Sequence, residues 1–388
     1  MSAVFPYKSS IVITCFPQQT EWLAKEVEAL GYEVKSSHVT EVETEGYIDD
    51  CLRLNMYLRT AGRVLFQLQR FNANTADDLY NRIKSIPWEK YLHNDGYFSV
   101  TSFVRNEHIK DDRFANVRVK DAIVDHMQEV TGQRPDSGPS KDHAVVHIYW
   151  KEDKVRVYFD TSGNTIAKHG YRKIPFKAPM NESLAAAAVL ASNWDKEKAF
   201  INPMCGSGTV AIEAALLAIN KAPGLMHENY GFMHLKGYDA DSWEGYQRLA
   251  KLQIKKSDVK IVASDISKKA LFAARSNARD AGVEDLIQFE QCDFRETPLP
   301  KEEGIIFINP EYGERLGEEE ELEIIYQAIG DFFKQKCAGY TGYVFTGNLN
   351  LAKRIGLKAS RRIPFFNARI ECRLLKYDLY SGTKRQRN

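Results

Sequence analysis

From Ala199 onward, short apolar runs alternate strictly with longer segments of helical period. Ala199–Ile201 reads as a strand, followed by a glycine-containing loop and a helix that begins at Thr209. Val259–Ser264 reads as a strand with the helix Ser267–Ala281 behind it. Leu286–Gln291 and Ile305–Ile308 read as strands, Glu321–Lys336 as a helix, and Thr341–Thr346 as a strand. Strands joined through helices need crossover connections, which gives a parallel, doubly wound α/β sheet. Ligands of such sheets bind beyond the carboxyl ends of the strands, so residues with useful chemistry are sought at those ends.

The first half has a different texture. Ser10–Phe16, Glu33–Thr44, Tyr97–Val104, Val145–Trp150 and Lys154–Asp160 read as strands. Thr20–Leu30, Ile48–Leu58, Ala76–Lys84 and Arg118–Val130 read as helices. No regular strand–helix alternation runs through them, and an α+β region is expected. With 388 residues, the chain has room for two or three domains. No apolar run approaches the ~20 residues that span a bilayer. The N-terminal segment lacks the pattern of a signal peptide, which makes the cytoplasm the default expectation. The six cysteines are scattered, without a Cys-x-x-Cys pair, which argues against a zinc site or a disulfide framework.

Bulk charge does not announce a nucleic-acid partner, since the net charge is only +1. Local charge is less even. Lys353, Arg354, Lys358, Arg361, Arg362, Arg369 and Arg373 crowd one stretch against Glu371, and the tail carries Lys384, Arg385 and Arg387. Both read as a solvated face and a frayed end or as basic surface. Arg105, Lys110, Arg113, Arg118 and Lys120 form a second basic stretch, interrupted by Glu107, Asp111 and Asp112. Phe98 and Phe103 alternate beside it and read as core rather than as stacking platforms.

The loop Asn202, Pro203, Met204, Cys205, Gly206, Ser207, Gly208, Thr209 leaves a strand and opens a helix. Gly206 and Gly208 would let backbone approach a ligand, and the helix start offers free N–H groups. The dinucleotide and Walker patterns both fail here, so neither NAD nor ATP is favoured. The next strand ends at Asp265, followed by Ile266. An acid at that place can take both ribose hydroxyls. An insertion of roughly 220–257 separates it from the loop and contains two competitors, Asp239 and Asp241, which otherwise read as helix caps. The third strand ends at Asp293 and Phe294, an acceptor for an adenine amine with a ring beside it, or simply a loop-capping carboxylate. The fourth runs into Asn309, Pro310, Glu311 and Tyr312.

This order of motifs resembles the amino-methyltransferases, whose fourth motif reads Asn/Asp-Pro-Pro-Tyr/Phe. More closely, the chain resembles the THUMP-containing large-subunit rRNA guanine-N2 methyltransferases of the RlmL type. The matching segments are Arg59–Leu65, Ala73–Tyr80 with Pro87 and Trp88, Asp160–Gly163, His169–Arg172, Ala178–Ala185, Asn202–Thr209, Asn309–Leu316, and Asn367 with Glu371–Leu374. Two departures stand out: Asn202 where the family has Asp, and Glu311 where it has a second Pro. The resemblance implies a Rossmann-like methyltransferase domain over 166–388 that binds S-adenosyl-L-methionine. It also implies a ferredoxin-like part over 1–60, a THUMP RNA-binding domain over 61–165, and 23S rRNA or its precursor as partner, with no metal and no membrane.

An exocyclic amine is a poor nucleophile because its lone pair is delocalised into the ring. Two acceptors aimed at its N–H bonds, the Asn309 side-chain oxygen and the Pro310 carbonyl, would draw the nitrogen toward a pyramidal state. Tyr312 would stack on the base, which must leave its helix to be reached. Glu311 and Arg172, the latter expected at the domain junction, are candidates for substrate contact. Two rivals share these residues: an adenine-N6 methyltransferase acting on DNA or RNA, and a non-catalytic RNA-binding protein with a relict cofactor fold.

Overall fold

The computed structural model describes residues 1, 3–107, 109, 111–176, 179–301, 303–312 and 319–380. Lys110, Ala178, the Gly313–Leu316 end of the fourth motif, and Lys384, Arg385 and Arg387 lie outside the described residues. The chain builds two compact units from interleaved segments. One holds Met1–Cys15, Leu23–Ala167 and Pro223–Leu252; the other holds Phe16–Trp22, Lys168–Ala222 and the chain from Gln253 onward.

Among the described residues of the first unit, eight strands form one sheet. They are β1 (Ser9–Thr14), β2 (Ser36–Ser37), β3 (Glu41–Gly46), β4 (Arg63–Asn72), β5 (Tyr97–Arg105), β6 (Asp136–Ser137), β7 (Ala144–Lys151) and β8 (Lys154–Asp160). Their order is β2-β3-β1-β4-β8-β7-β5-β6. The single strand expected over Glu33–Thr44 is split into β2 and β3. The central strand β4 was not legible, because its unalternating apolar run Val64–Phe66 gives way to Gln67, Gln69 and Arg70 around a bulge between Gln67 and Gln69. It pairs with β1 on one side and β8 on the other, so the ferredoxin-like and THUMP segments share one continuous sheet.

The Asp160–Gly163 motif knots this unit together. Arg63 Nη1 donates to the buried Asp160 carboxylate. Thr161 Oγ1 donates to Val64 O at 2.7 Å, and Ser162 Oγ to Asn55 Oδ1 at 2.6 Å. A Cβ on Gly163 would meet the Gly231 backbone N at 2.9 Å, and one on Gly231 would meet Asp160 O at 2.3 Å. Gly231 belongs to the insertion read from the sequence. Tyr230, Phe232 and Trp243 bury an aromatic cluster there, and the Phe232 amide donates to Thr161 O at 3.0 Å. The insertion therefore completes the first unit, and the linear boundaries at 60 and 165 do not include this exchange.

Seven strands of the second unit follow: β9 (Ala199–Pro203), β10 (Ile261–Asp265), β11 (Ile287–Gln291), β12 (Gly304–Ile308), β13 (Thr341–Thr346), β14 (Arg361–Asn367) and β15 (Ile370–Asp378). The order is β11-β10-β9-β12-β13-β15-β14. Each strand from β9 to β13 is parallel to its neighbours in that group, as the alternation requires. β14 and β15 form an antiparallel hairpin at the β13 edge; in the basic stretch Lys353, Arg354, Lys358, Arg361, Arg362 and Arg369 are exposed, as a solvated face requires. Between β9 and β12 the winding reverses direction, which marks the crevice where such sheets bind ligands.

Candidate functional site

The Gly loop, Asp265, Asp293 and Asn309 stand at the carboxyl ends of four adjacent parallel strands, β9, β10, β11 and β12. Within the loop only Met204 and Gly206 reach the surface; Asn202, Pro203, Cys205, Ser207, Gly208 and Thr209 are buried. The two glycines have different duties. A Cβ on Gly206 would meet nothing within 4 Å, so this is where a ligand has room. A Cβ on Gly208 would lie 2.9 Å from Ala274 Cβ on the helix Lys268–Asp280. Gly208 therefore serves packing, not the ligand approach expected of it. Both have positive φ, 56° and 82°, as does Met204 at 54°, a conformation that costs a non-glycine residue roughly 1–2 kcal/mol.

Asp265 organises the loop as well as facing its opening. Its Oδ2 accepts from the Gly206 amide at 3.0 Å, and its Oδ1 from the Ser267 amide at 2.9 Å. Beside it Ile266 is 71% exposed, an apolar surface at the mouth of the crevice. Asp239, the competitor, lies in the other unit, where it accepts from the Asp241 amide and the Ser242 hydroxyl as a helix cap.

Asn202 is 1% exposed, and its Nδ2 donates to Phe307 O on β12 at 2.8 Å. A carboxylate could not make that bond, so the departure from Asp ties two strands together. Its Oδ1 is buried and has no hydrogen-bond partner among the described residues; the same is true of Asn309 Oδ1 at the end of β12. Buried carbonyl oxygens are normally satisfied. These are two buried acceptors at neighbouring strand ends to which no described residue donates.

Asp293 caps the turn Phe294–Glu296 and takes the Arg295 Nε and Nη2 at 2.8 and 2.9 Å. The Arg295 guanidinium holds the Asp293 carboxyl below its usual range, so it stays an ionised acceptor. Phe294 does not line the opening. Its ring is buried in the core, edge-on to Phe332 at 5.8 Å.

Arg172 also departs from expectation. Its Nη2 donates to Met180 O and to Thr209 Oγ1, and lies 3.4 Å from Glu182 Oε2, with the side chain 13% exposed. The guanidinium is committed to clamping the start of the helix behind the Gly loop, and it does not stand free for phosphate. Burial pushes the Glu182 carboxyl up, against the pull of Arg172. His169 Nδ1 and the Tyr171 hydroxyl both meet Glu213 Oε1, at 2.8 and 2.7 Å, in the same buried bed.

Pro310 is buried, Glu311 exposed, and Tyr312 half-buried. Two residues that the sequence reading did not single out hold the Tyr312 ring. Asn367 Nδ2, at the end of β14, donates to the Tyr312 hydroxyl at 2.7 Å. A Cβ on Gly347 would sit 3.1 Å from Tyr312 Cδ2, so glycine leaves the ring its seat. Asn277 was missed as well. Its Oδ1 accepts from the Lys173 and Ile174 amides, and its Nδ2 donates to Ile174 O and Ser207 O, which props the loop from beneath. The quoted Asn367 segment was a signal for the first; nothing local signals the second. Among the described residues there is no cluster of three potential metal ligands and no helix long and apolar enough to cross a membrane.

A Rossmann-like sheet with a glycine loop after one strand, an acid at the end of the next and an Asn-Pro-x-Tyr turn after the strand on the other side has a methyltransferase architecture. The chain belongs to the family described as RMKL-like, methyltransferase domain, which matches residues 169–376. An RlmL ferredoxin-like domain matches 10–65 and a THUMP domain 73–160. The chain is 35% identical over 369 residues to the ribosomal RNA large subunit methyltransferase K/L of Syntrophotalea carbinolica, covering 92% of this chain and 52% of that protein. It thus spans about half the length of that relative. It is 32% identical to "Putative RNA methyltransferase slr0064" of Synechocystis, covering 92% of this chain and 93% of that one. Two solved structures superpose with a TM-score of 0.87. One is SMU.472 complexed with SAH, 27% identical, covering 97% of this chain and 99% of that one. The other is a "predicted N6-adenine-specific DNA methylase" from Listeria monocytogenes, 30% identical, covering 97% of each chain.

Proposed function

We propose that this chain uses S-adenosyl-L-methionine to methylate an exocyclic amine of a base in RNA, with guanine N2 of 23S rRNA as the target and the cytoplasm as the place of action. The observation that carries the proposal is the Asn309 Oδ1 at the end of β12, buried and without a hydrogen-bond partner among the described residues, three positions before a Tyr312 ring held by Asn367. The residues fit the cofactor. Gly206 would leave room for it, Asp265 would take its ribose hydroxyls, Ile266 would offer an apolar wall and Asp293 an acceptor for its adenine amine. Asn202 Oδ1 is an acceptor for its ammonium group. When bound, it supplies a methyl group on positively charged sulfur as the electrophile.

Asn309 Oδ1 and the Pro310 carbonyl accept the two N–H bonds of the target amine and free its lone pair for in-line attack. The amine would carry a surplus proton only once it has been methylated, so these residues need not include a strong base. Tyr312 stacks on the base and fixes its plane. The gain is positioning and electrostatic preorganisation. In this reading residues 1–60, 61–165 and 166–388 are the ferredoxin-like, THUMP and methyltransferase parts.

RNA as substrate is supported by the THUMP match and by the full-length Synechocystis relative's name. Large-subunit rRNA is supported by the Syntrophotalea relative's name, and guanine N2 by the resemblance drawn from the sequence. Adenine N6 is the second reading, favoured by the name of the Listeria structure; the same two acceptors suit both amines. The test is single-turnover methylation of protein-free 23S rRNA with saturating cofactor, followed by nucleoside analysis. N2-methylguanosine is expected, and N6-methyladenosine would replace the guanine assignment. In calorimetry Asp265→Ala should weaken cofactor binding at least about tenfold, since hydrogen bonds to a charged group are worth ~1.5–3 kcal/mol. Unchanged affinity would remove Asp265 from the site.

A further inference from the structure

The sheet of the first unit buries one face in the core through Val146, Ile148 and Trp150 of β7 and Val155, Val157 and Phe159 of β8. Side chains alternate along a strand, so the intervening residues share the opposite face. There the register aligns them in two rows. Phe103, Tyr149, Arg156 and Arg70 are successive partners across β5, β7, β8 and β4. Arg105, Lys151 and Lys154 form the next row across β5, β7 and β8.

The aromatic pair is stacked, with Phe103 exposed and Tyr149 half-buried. The Phe103 and Tyr149 rings stack at 5.3 Å and 11°, with the Arg105 guanidinium 5.6 Å from the Phe103 centroid. Phe103 is 39% exposed, which corrects its reading as core; Phe98, on the same strand, is buried as expected. Arg70, Arg105, Lys151 and Lys154 are exposed and Arg156 is half-buried.

Like charges placed directly opposite in a sheet are destabilising. Yet Arg70 opposes Arg156, Arg105 opposes Lys151, and Lys151 opposes Lys154. None of the five takes part in an ion pair among the described residues. Nearby carboxylates are engaged elsewhere or off the rows. Glu41 and Glu43 of β3 act on Arg156, but Glu43 already accepts from Ser10 and Ser36. Asp153, in the β7–β8 turn, accepts from Asn72. By contrast, the basic stretch read from the sequence is neutralised. Arg113 pairs with Asp111 at 3.0 Å, Arg118 with Asp77 at 2.6 Å and Lys120 with Asp121 at 3.3 Å, while Arg105 alone of the described members joins the open face.

We infer that this face binds an unpaired segment of the RNA substrate. Arg70, Arg105, Lys151, Lys154 and Arg156 meet its phosphates, and a base stacks on the Phe103–Tyr149 pair. Stacking platforms flanked by cations recognise single strands because every base presents a π-face and every nucleotide a phosphate. The inference rests on the proposed RNA substrate but not on methyl transfer, so the two can fail separately.

The test uses the full chain and measures binding to oligouridine and to an RNA duplex of equal length over a range of salt, without cofactor. Combined Arg105→Gln, Lys151→Gln and Lys154→Gln should weaken oligouridine binding at least tenfold. It should also flatten the dependence of log K on log salt by about 2, at ~0.7 per phosphate contact on a single strand. The melting temperature should hold or rise, because a repelling row has been discharged. Phe103→Ala should weaken oligouridine binding roughly fivefold or more with little change in salt slope and little effect on the duplex. Unchanged affinity and slope in the triple variant would overturn the surface. Equal loss on oligouridine and duplex in Phe103→Ala would overturn the stacking. If the wild-type chain methylates no RNA while the triple variant still loses oligouridine, the function fails and the surface stands.

Discussion

Asn309→Ala should separate activity from stability in opposite directions. In the free protein the Asn309 side-chain oxygen is buried without a partner among the described residues. An unsatisfied buried polar group costs about 1–3 kcal/mol, and alanine removes that cost while opening a small void. The fold should therefore lose nothing and could gain a few degrees, since 1 kcal/mol moves the midpoint about 2–4 °C in a domain of 150–250 residues. The rate should fall by ~10²–10³, the usual loss when one preorganised transition-state partner is removed. Here the partner also orients the nucleophile. Cofactor affinity should stay close to wild type, because the amine that Asn309 serves is absent from the binary complex. Single-turnover methylation, thermal melting and calorimetry on the same preparation measure all three. Near-normal turnover would sink the mechanism. A melting temperature lowered by many degrees would show that the oxygen has a structural partner and that its orphaned state is not a device for catalysis.

Gly208→Ala should lower the melting temperature by the effect of ~1–3 kcal/mol of overpacking against Ala274, whereas Gly206→Ala should mainly weaken cofactor binding; equal effects of the two in melting and calorimetry would refute their division of labour. Arg172→Gln leaves Glu182 buried without its cation and should cost ~3–5 kcal/mol of stability while leaving the salt dependence of RNA binding unchanged; a flattened salt slope would restore Arg172 as a phosphate ligand. Tyr312→Phe and Asn367→Ala should each slow transfer by the effect of ~0.5–1.5 kcal/mol, and the double variant should be no slower than the worse single one. Additive losses in that cycle would show that the hydrogen bond between them is not what orients the ring.

The parts of the site that were legible in the sequence are contiguous: Asn202–Thr209, Asp265, and Asn309 through Tyr312 each follow an apolar strand, and strand ends are where a doubly wound sheet exposes residues. What was not legible depends on partners distant in the chain. Nothing near Arg172 announces that Thr209 and Met180 will occupy its guanidinium, and nothing near Gly208 announces Ala274. Phe294 looked like a ring beside an adenine because it follows Asp293, yet the turn directs it into the core. Charge misled in both directions. The linear run around Arg113 is cancelled by Asp77, Asp111 and Asp121, while the open cationic rows gather five residues from four strands. Strand β4 was missed because its apolar run breaks at a bulge; the β14–β15 hairpin keeps alternation at Ile363, Phe365, Cys372 and Leu374, but the basic residues around those positions make the stretch read as charge instead.

The interleaving of the two units sets the timing of birth. The first unit's core closes around Tyr230, Phe232 and Trp243, in a segment that ends at Leu252. A ribosome that has translated Ala167 has made every strand of the eight-stranded sheet but not the residues that seal it. At ~5–20 residues per second, the missing segment arrives on the order of ten seconds later. Until Gly231 arrives the Asp160–Gly163 corner is open, and the emerging glycine loop must leave the tunnel before its predecessor unit is complete. Nascent chains stalled before Pro223 and chains stalled once Leu252 has cleared the tunnel should therefore differ sharply in protease resistance of the first unit, and a chaperone that holds the incomplete sheet would be needed only within that window.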